Sequence, residues 1–214
     1  MNTRSYSKQY RELFDFLSAP ESPPVHSRAG EVVFGRKNKL VGRKALEVVT
    51  RQTPWIIITG GIGKDSGDLT VPEAEYLAAI MQDEKDPDQT LPPMYLDILA
   101  TNGGENVRNS LDIIGSENLH HTDGLTVVSH ATSLRRLAET MKHETAKRIQ
   151  NVSPVYRIGS DYKFDVNNST DRQEAIAEMV RLINWPKNDW LLPQENLPEN
   201  LIDFTRDIEQ KSNQ

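Results

Sequence analysis

Short apolar runs alternate with amphipathic stretches along this chain. The runs at 32–34, 56–58, 94–99, 125–129 and 154–158 are typical of buried strands. The stretches between and around them carry apolar residues at helical spacing. They predict helices over 5–18, 40–51, 72–82, 104–115, 133–143, 171–184 and 198–210. Strands that alternate with helices in this way indicate an α/β fold, with a mainly parallel, doubly wound sheet of about five strands.

The same pattern predicts one domain over residues 1–214. The sheet core is expected at about 31–184. An amphipathic helix and a proline-containing connector precede the core in residues 1–30. The proline-punctuated residues 185–214 follow it, so extra helices are expected to cap the core at both termini.

Most of the distinctive polar residues fall in three turns that follow predicted strands. The turns are residues 60–63, 100–106 and 130–136. Strands of a parallel sheet lie side by side, so turns at their carboxyl ends meet along one edge. Ligands of open α/β sheets bind at that edge. The sequence therefore predicts a ligand site formed by these turns.

The first turn is rich in glycine. Gly60, Gly61 and Gly63 follow the strand at 56–58, and Gly35 ends the strand before it. Glycines allow a ligand to approach bare backbone amides, but they are equally typical of a flexible turn. Their spacing matches neither the Rossmann fingerprint nor a Walker A loop. Glu73 opens the next helix, where the helix dipole also favours a carboxylate for purely structural reasons.

The second turn concentrates polar side chains at the start of a helix. A helix that begins near Gly104 would place Glu105, Arg108 and Asn109 on one face. This pattern indicates a binding site, and the alternative is helix capping with an exposed ion pair. The candidate ligand-binding residues of this turn are Thr101, Asn102, Gly104, Asn106 and Arg108.

The third turn combines hydroxyl groups with two arginines. Ser129 and Thr132 precede Arg135 and Arg136 at the start of a helix. Guanidinium groups near a helix amino terminus oppose its dipole, so an anionic ligand would explain them better than structure alone. His130 in the same turn is a candidate acid or base, although a histidine in a turn is more often a solvated side chain.

Composition and charge narrow the classes of partner. The net charge of −6 argues against non-specific binding to nucleic acid or to an acidic membrane surface, and no cysteine is present for a thiolate site. Neighbouring imidazoles such as His120 and His121 point apart, so no metal site is predicted.

No apolar run approaches the roughly 20 residues that span a bilayer. The chain is therefore expected to be soluble and cytoplasmic, without membrane insertion. Its oligomeric state is left open.

Three segments together resemble the domain-of-unknown-function family that includes YdcF, SanA and ElyC. They are residues 57–63 with Glu73, the stretch 101–110, and Thr132 with the arginine pair. The match is closest to the soluble YdcF-like branch and covers about residues 31–145. The resemblance implies a Rossmann-like fold and S-adenosylmethionine as a ligand. Asp97 stands where family members commonly carry glutamate. Thr132 and Ser133 occupy the registers where many members carry a histidine, which speaks against a family-wide catalytic histidine here.

Two functions follow as hypotheses. The first is a small-molecule-binding protein, or an enzyme of unassigned reaction, that binds an anionic, nucleotide-like ligand, for which the resemblance suggests S-adenosylmethionine. In it Glu73, Asp97 and Glu105 would contact a ribose, an amine or a sulfonium, or act as acid and base in a transferase or hydrolase. The alternative is a phosphoryl- or glycosyl-type hydrolase or transferase that acts on cell-envelope precursors. The acidic chain without an anchor speaks against this alternative.

Overall fold

The computed structural model describes residues 6–63, 66–149, 154–191 and 196–212. Its centre is a five-stranded sheet in which every pairing is parallel, with strand order β3-β2-β1-β4-β5. The strands are β1 (Gly30–Phe34), β2 (Ile56–Thr59), β3 (Met94–Asp97), β4 (Leu125–Ser129) and β5 (Val155–Gly159). This arrangement confirms the expected Rossmann-like α/β fold.

Seven α-helices accompany the sheet within the described ranges. They are α1 (Ser7–Ser18), α2 (Lys39–Val48), α3 (Glu73–Glu84), α4 (Gly103–Ser116), α5 (Leu134–Arg148), α6 (Ser169–Asn184) and α7 (Glu199–Ser212). The helix predicted over 5–18 is α1, although residue 5 lies outside the described part. Helix α5 continues five residues beyond the predicted end at 143. Its last turn carries Lys147 and Arg148, which the helix dipole favours there.

The strand order places a topological switch between β1 and β4. The chain moves outward from β1 through β2 to β3, then returns to the other side of β1 with β4 and β5. Phe34 pairs in register with Thr59, and Thr59 pairs with Asp97, so these strands end side by side. The turns therefore meet at the carboxyl edge as predicted. Ligands of such sheets bind in the crevice at this switch.

Buried apolar residues form three clusters. One lies on the sheet face covered by α4 and α5, and another lies on the face covered by α2 and α3. The third joins α1, α6 and α7, with Leu13, Met179 and Phe204 among its members. These three helices, α1, α6 and α7, are called the cap helices. No helix in the described part of the chain is both long and apolar enough to cross a bilayer.

Candidate functional site

A cavity of about 670 Å³ lies where the carboxyl ends of β1 and β2 meet α4, α5 and α6. This volume is in the range of small-molecule sites. Nine of the sequence-predicted residues line it: Gly35, Gly61, Gly63, Glu73, Thr101, Asn102, Gly104, Asn106 and Arg136. Seven others lie outside its lining: Gly60, Asp97, Glu105, Arg108, Ser129, Thr132 and Arg135.

The amides of the glycine turn are engaged within the protein. The N–H groups of Gly60 and Gly61 donate to the carbonyls of Asp97 and Ala100 at 2.9 and 2.7 Å. That of Gly63 donates to Ser66 Oγ at 2.8 Å. The carbonyls of Gly60 and Gly61 in turn accept from the first amides of α3. The expectation that these amides would hold an acidic ligand group is therefore corrected, because the turn caps α3 and joins it to the end of β3.

Glycines in this region make room for the carboxylate of Glu73. A Cβ atom built on Gly35 would lie 2.8 Å from Glu73 Cβ and 2.7 Å from a backbone carbonyl. One built on Gly60, whose φ is +143°, would lie 3.1 Å from Glu73 Oε2. The Ser66 hydroxyl donates to Glu73 Oε1 at 2.9 Å. The side chain is thus held over the sheet edge at the wall of the cavity, and the residue is only 8% exposed.

The second turn is a helix cap as well as part of the cavity wall. Asn102 accepts from the amides of Gly104 and Glu105 at 3.1 and 3.0 Å. Glu105 accepts from the amide and hydroxyl of Thr101 at 2.8 and 2.9 Å. These hydrogen bonds to Thr101 hold the pKa of the Glu105 carboxyl below its usual range. Glu105 is therefore held ionised as a capping residue, which favours the helix-capping alternative over acid–base work by this side chain.

Asp97 ties β3 to its neighbours. It accepts from Thr59 Oγ1 at 2.6 Å, from Asn109 Nδ2 at 3.1 and 3.2 Å, and from the Leu99 amide at 3.1 Å. The residue is 6% exposed and does not line the cavity. Thr59 Oγ1 also lies 3.3 Å from Asn106 Oδ1, and Asn106 does line the cavity. Asp97 therefore lies behind the residues that line the cavity, and its hydrogen bonds hold Thr59, Leu99 and Asn109 in place.

The two adjacent arginines of α5 diverge. Arg136 lines the cavity and forms a bidentate pair with Glu178. Arg135 donates from Nε to the carbonyl of Phe16 at 2.9 Å and lies over the Phe16 ring at 3.9 Å. Burial and the charge of Arg157 lower the pKa of Arg135 to about 10. Arg135 therefore joins α5 to α1, and the expectation that both arginines would face the ligand is corrected.

A polar cluster occupies the topological switch itself. Arg36, after β1, pairs with both oxygens of Glu174 on α6. Thr132 Oγ1 donates to Glu174 Oε1 at 2.6 Å and lies 2.8 Å from His130 Nδ1. Thr132, expected to contact ligand directly, instead holds Glu174 in place. The pKa of Glu174 is lowered because Arg36 and Thr132 outweigh the opposing effect of its burial.

His130 is buried in this cluster, which corrects its interpretation as a solvated side chain. It is 2% exposed, and its ring lies 4.4 Å from the ring of Tyr162. Burial and the nearby Arg36 lower the pKa of His130 to about 4, so the imidazole is neutral at physiological pH. Burial and the hydrogen bond to Asp171 raise the pKa of Tyr162 to about 12.

The remaining predicted residues have supporting roles or face outward. Ser129 is 1% exposed, and its hydroxyl donates to the carbonyl of His130. Gly60 lies just behind the lining, against Gly35. Arg108 is exposed, and its guanidinium lies beside Gly104.

Helix α6 supplies a face of the cavity that the three turns did not indicate. Six of its residues line the cavity: Thr170, Gln173, Glu174, Ala177, Glu178 and Arg181. Their spacing of three and four residues is that of one helical face. Among the described residues, the charged side chains that line the cavity are the arginines at 36, 136 and 181 and the glutamates at 73, 174 and 178. Positive and negative charges are therefore balanced around the cavity.

Metal binding has no support in the described ranges, where no three His, Cys, Asp or Glu residues come together in a cluster suited to an ion. His120 lines a separate surface depression with Asp112 and Arg148. That depression lies at the far end of α4 and shares no residue with the site.

No protein-family model matches the chain, and a search of curated proteins finds no match to it either.

Proposed function

We propose that this chain binds a small ligand that carries both a negative and a positive group, in the cavity at the carboxyl edge of the sheet. The observation that carries the proposal is the balanced set of three arginines and three glutamates that the described part of the chain places around a cavity of about 670 Å³. A carboxylate of the ligand would pair with a guanidinium, and an ammonium or sulfonium would lie beside a glutamate.

The sequence predicts an anionic, nucleotide-like ligand, and the equal numbers of arginines and glutamates favour a ligand that also carries a positive group. Arg36 and Arg136 are already paired with Glu174 and Glu178. A polyphosphate that drew both arginines away from these glutamates would also bring several negative charges next to the two carboxylates, which is costly. S-adenosylmethionine carries a carboxylate, an ammonium and a sulfonium, so it is the candidate ligand. Relationship to the YdcF-like branch is part of the same proposal, and the order of the motifs together with the Rossmann-like fold supports it.

We propose ligand binding, and not acid–base catalysis, as the role of the cavity. Glu105 is held ionised as a helix cap, and the oxygens of Asp97 accept hydrogen bonds from three neighbouring residues. Glu73 is then the predicted carboxylate that remains in position to contact a ligand.

The first test is calorimetric titration of the protein with S-adenosylmethionine. Glu73→Gln should weaken binding by roughly 10- to 150-fold, because a hydrogen bond to a charged group contributes about 1.5–3 kcal/mol. Ala177→Phe places a bulky ring in the cavity and should abolish binding. Ala79→Phe is the matched control, because Ala79 is exposed on α3 and does not line the cavity.

Thermal melting of each variant shows whether it is folded. Unchanged affinity in both Glu73→Gln and Ala177→Phe would place the ligand elsewhere and reject the proposal. Absence of binding to the wild-type protein would reject S-adenosylmethionine. The same titration with methionine, which has a carboxylate and an ammonium but no nucleoside, then tests the mixed-charge class.

A further inference from the structure

Trp185 presents an aromatic ring to the rim of the cavity. It directly follows α6 and begins a short 3₁₀ segment, Trp185–Asn188. Among the described residues that line the cavity, the aromatic ones are Phe34 and Trp185. Phe34 is only 1% exposed, whereas Trp185 is partly exposed. Trp185 is therefore the aromatic side chain whose ring a bound molecule can reach.

The ring of Trp185 is held in a defined orientation. Trp190 contacts it edge-on, with ring centroids 5.1 Å apart and an interplanar angle of 82°. Pro186 follows Trp185 at the start of the 3₁₀ segment and restricts the backbone there. A side chain that is fixed before binding loses little conformational freedom when a ligand arrives.

Two guanidinium groups lie beside this ring. The Cζ atoms of Arg136 and Arg181 are 5.2 and 5.9 Å from the Trp185 ring centroid. Both arginines pair with Glu178. For comparison, the Cζ atom of Arg135 stacks on Phe16 at 3.9 Å from the ring centroid. The longer distances at Trp185 show that neither guanidinium stacks closely on its ring.

The two arginines beside Trp185 determine which kind of chemical group can bind on its ring. A cationic group over Trp185 would meet two positive charges within the same few ångströms, so an aromatic cage for a cation is disfavoured. A neutral planar heterocycle stacks on an indole ring without that repulsion. Its ring nitrogens or carbonyl oxygens can accept hydrogen bonds from Arg181, whose side chain is 38% exposed.

We infer that Trp185 is the stacking site for a neutral planar heteroaromatic ring, of the size of a purine, within the ligand bound in the cavity. The inference rests on the proposed function, because it divides that site into two parts. The charged lining holds the polar groups of the ligand, and Trp185 with Arg181 holds its ring.

The test is calorimetric titration with adenosine, which has the ring, and ribose, which does not. Adenosine should bind the wild-type protein, and ribose should bind at least about 10-fold more weakly. Trp185→Ala should weaken adenosine binding by about 10-fold or more, because stacking on an aromatic side chain contributes an effect of that size. Trp185→Phe keeps an aromatic face and should restore most of the affinity. Trp190→Phe is the matched control, because the contact to Trp185 remains aromatic.

Melting temperatures identify any variant that fails to fold, and Trp185→Phe keeps the test decisive if Trp185→Ala does. Equal adenosine affinity in the wild-type and folded Trp185→Ala proteins would overturn the inference. If Ala177→Phe abolishes the binding of S-adenosylmethionine in the same series, the proposed function stands and the ring lies elsewhere in the cavity. Binding of methionine without binding of adenosine would likewise overturn the inference alone. Failure of adenosine, methionine and S-adenosylmethionine to bind would overturn both.

Discussion

Glu31 is a carboxyl group buried inside the sheet. It lies on β1 between Ile56 and Thr126 of the neighbouring strands and is 2% exposed. Its Oε1 atom accepts no hydrogen bond within the described residues. Burial raises the pKa of Glu31 well above its usual range, so the folded protein favours the protonated form of this carboxyl group.

A raised pKa in the folded state gives stability that is present at low pH and lost as the pH rises. Below the pKa of the unfolded chain, about 4.3, both states are protonated. Above it, the unfolded chain releases its proton while folded Glu31 keeps it. The free energy of unfolding should therefore fall by about 1.4 kcal/mol per pH unit until the folded-state pKa is reached.

Replacement of Glu31 by methionine should remove this dependence. We expect the advantage of Glu31→Met over the wild-type protein to grow as the pH rises above about 4.3, until the folded-state pKa of Glu31 is reached, when both are unfolded in urea. Methionine has a similar length and carries no titrating group. Glu75→Gln, at an exposed position on α3, is the control and should keep the wild-type dependence. Parallel pH profiles for wild type and Glu31→Met would show that Glu31 is ionised in the folded state.

The sequence alone does not show which of two adjacent arginines faces the cavity. Arg135 and Arg136 are identical in chemistry and adjacent in sequence. A helix turns about 100° per residue, so only one of two neighbours can face a given cavity. The direction depends on where α1 and α6 pack, and that packing brings together residues more than 40 positions apart. The pair was predictable as candidate residues, but the member that faces the cavity was not.

At the scale of elements, the beginning of α4 depends on Asn102. Its side chain accepts from two amides that otherwise have no partner within the helix. Asn102→Ala should lower the free energy of unfolding by about 1 kcal/mol, whereas Asn102→Asp should retain most of it. Urea unfolding at neutral pH measures both. An alanine variant as stable as the wild type would show that the cap contributes nothing, and the polar turn would then need a different explanation.

The alternation of strands and helices could be predicted because each element has its own periodicity. The sequence predicts a mainly parallel sheet of about five strands, but it does not predict the order of those strands. The order places the ends of β1 and β4 next to each other, and it therefore brings Arg36 and His130 together at the switch. The apolar stripe of α6 predicts the helix itself, and a different face of the same helix lines the cavity. Residues 170, 173, 174, 177, 178 and 181 follow the same helical period. A polar stripe that holds two glutamates was the available signal for a helix that faces a charged site.

At the scale of the whole molecule, ion pairs connect the cap helices to the sheet domain across the cavity. The cap helices have their own hydrophobic cluster, apart from the two clusters that cover the sheet. Arg136 on α5 and Glu178 on α6 form the more buried connection, with side chains 10% and 4% exposed. Arg36 and Glu174 form a second connection that is more open to solvent.

Loss of one partner from the buried pair should therefore cost more than loss of both. Glu178→Met leaves the Arg136 guanidinium buried without its carboxylate and should lower the free energy of unfolding by about 3–5 kcal/mol. The double variant Arg136→Met/Glu178→Met removes both charges and should recover most of that loss, because two apolar side chains of similar size can pack in their place. Urea unfolding of the wild type, both single variants and the double variant gives the coupling energy directly.

Asp112→Asn is the control for this cycle, because the pair of Asp112 with Arg148 lies at the surface and should contribute less than about 1 kcal/mol. A double variant as unstable as Glu178→Met would mean that the long side chains at 136 and 178 stabilise the structure by their packing, since removal of the unpaired charge would then have restored nothing. Recovery in the double variant would instead show that the two charges are kept at a cost in stability. A pair kept at such a cost in a cavity wall is expected where its charges serve a ligand, so the same four proteins also bear on the proposed binding site.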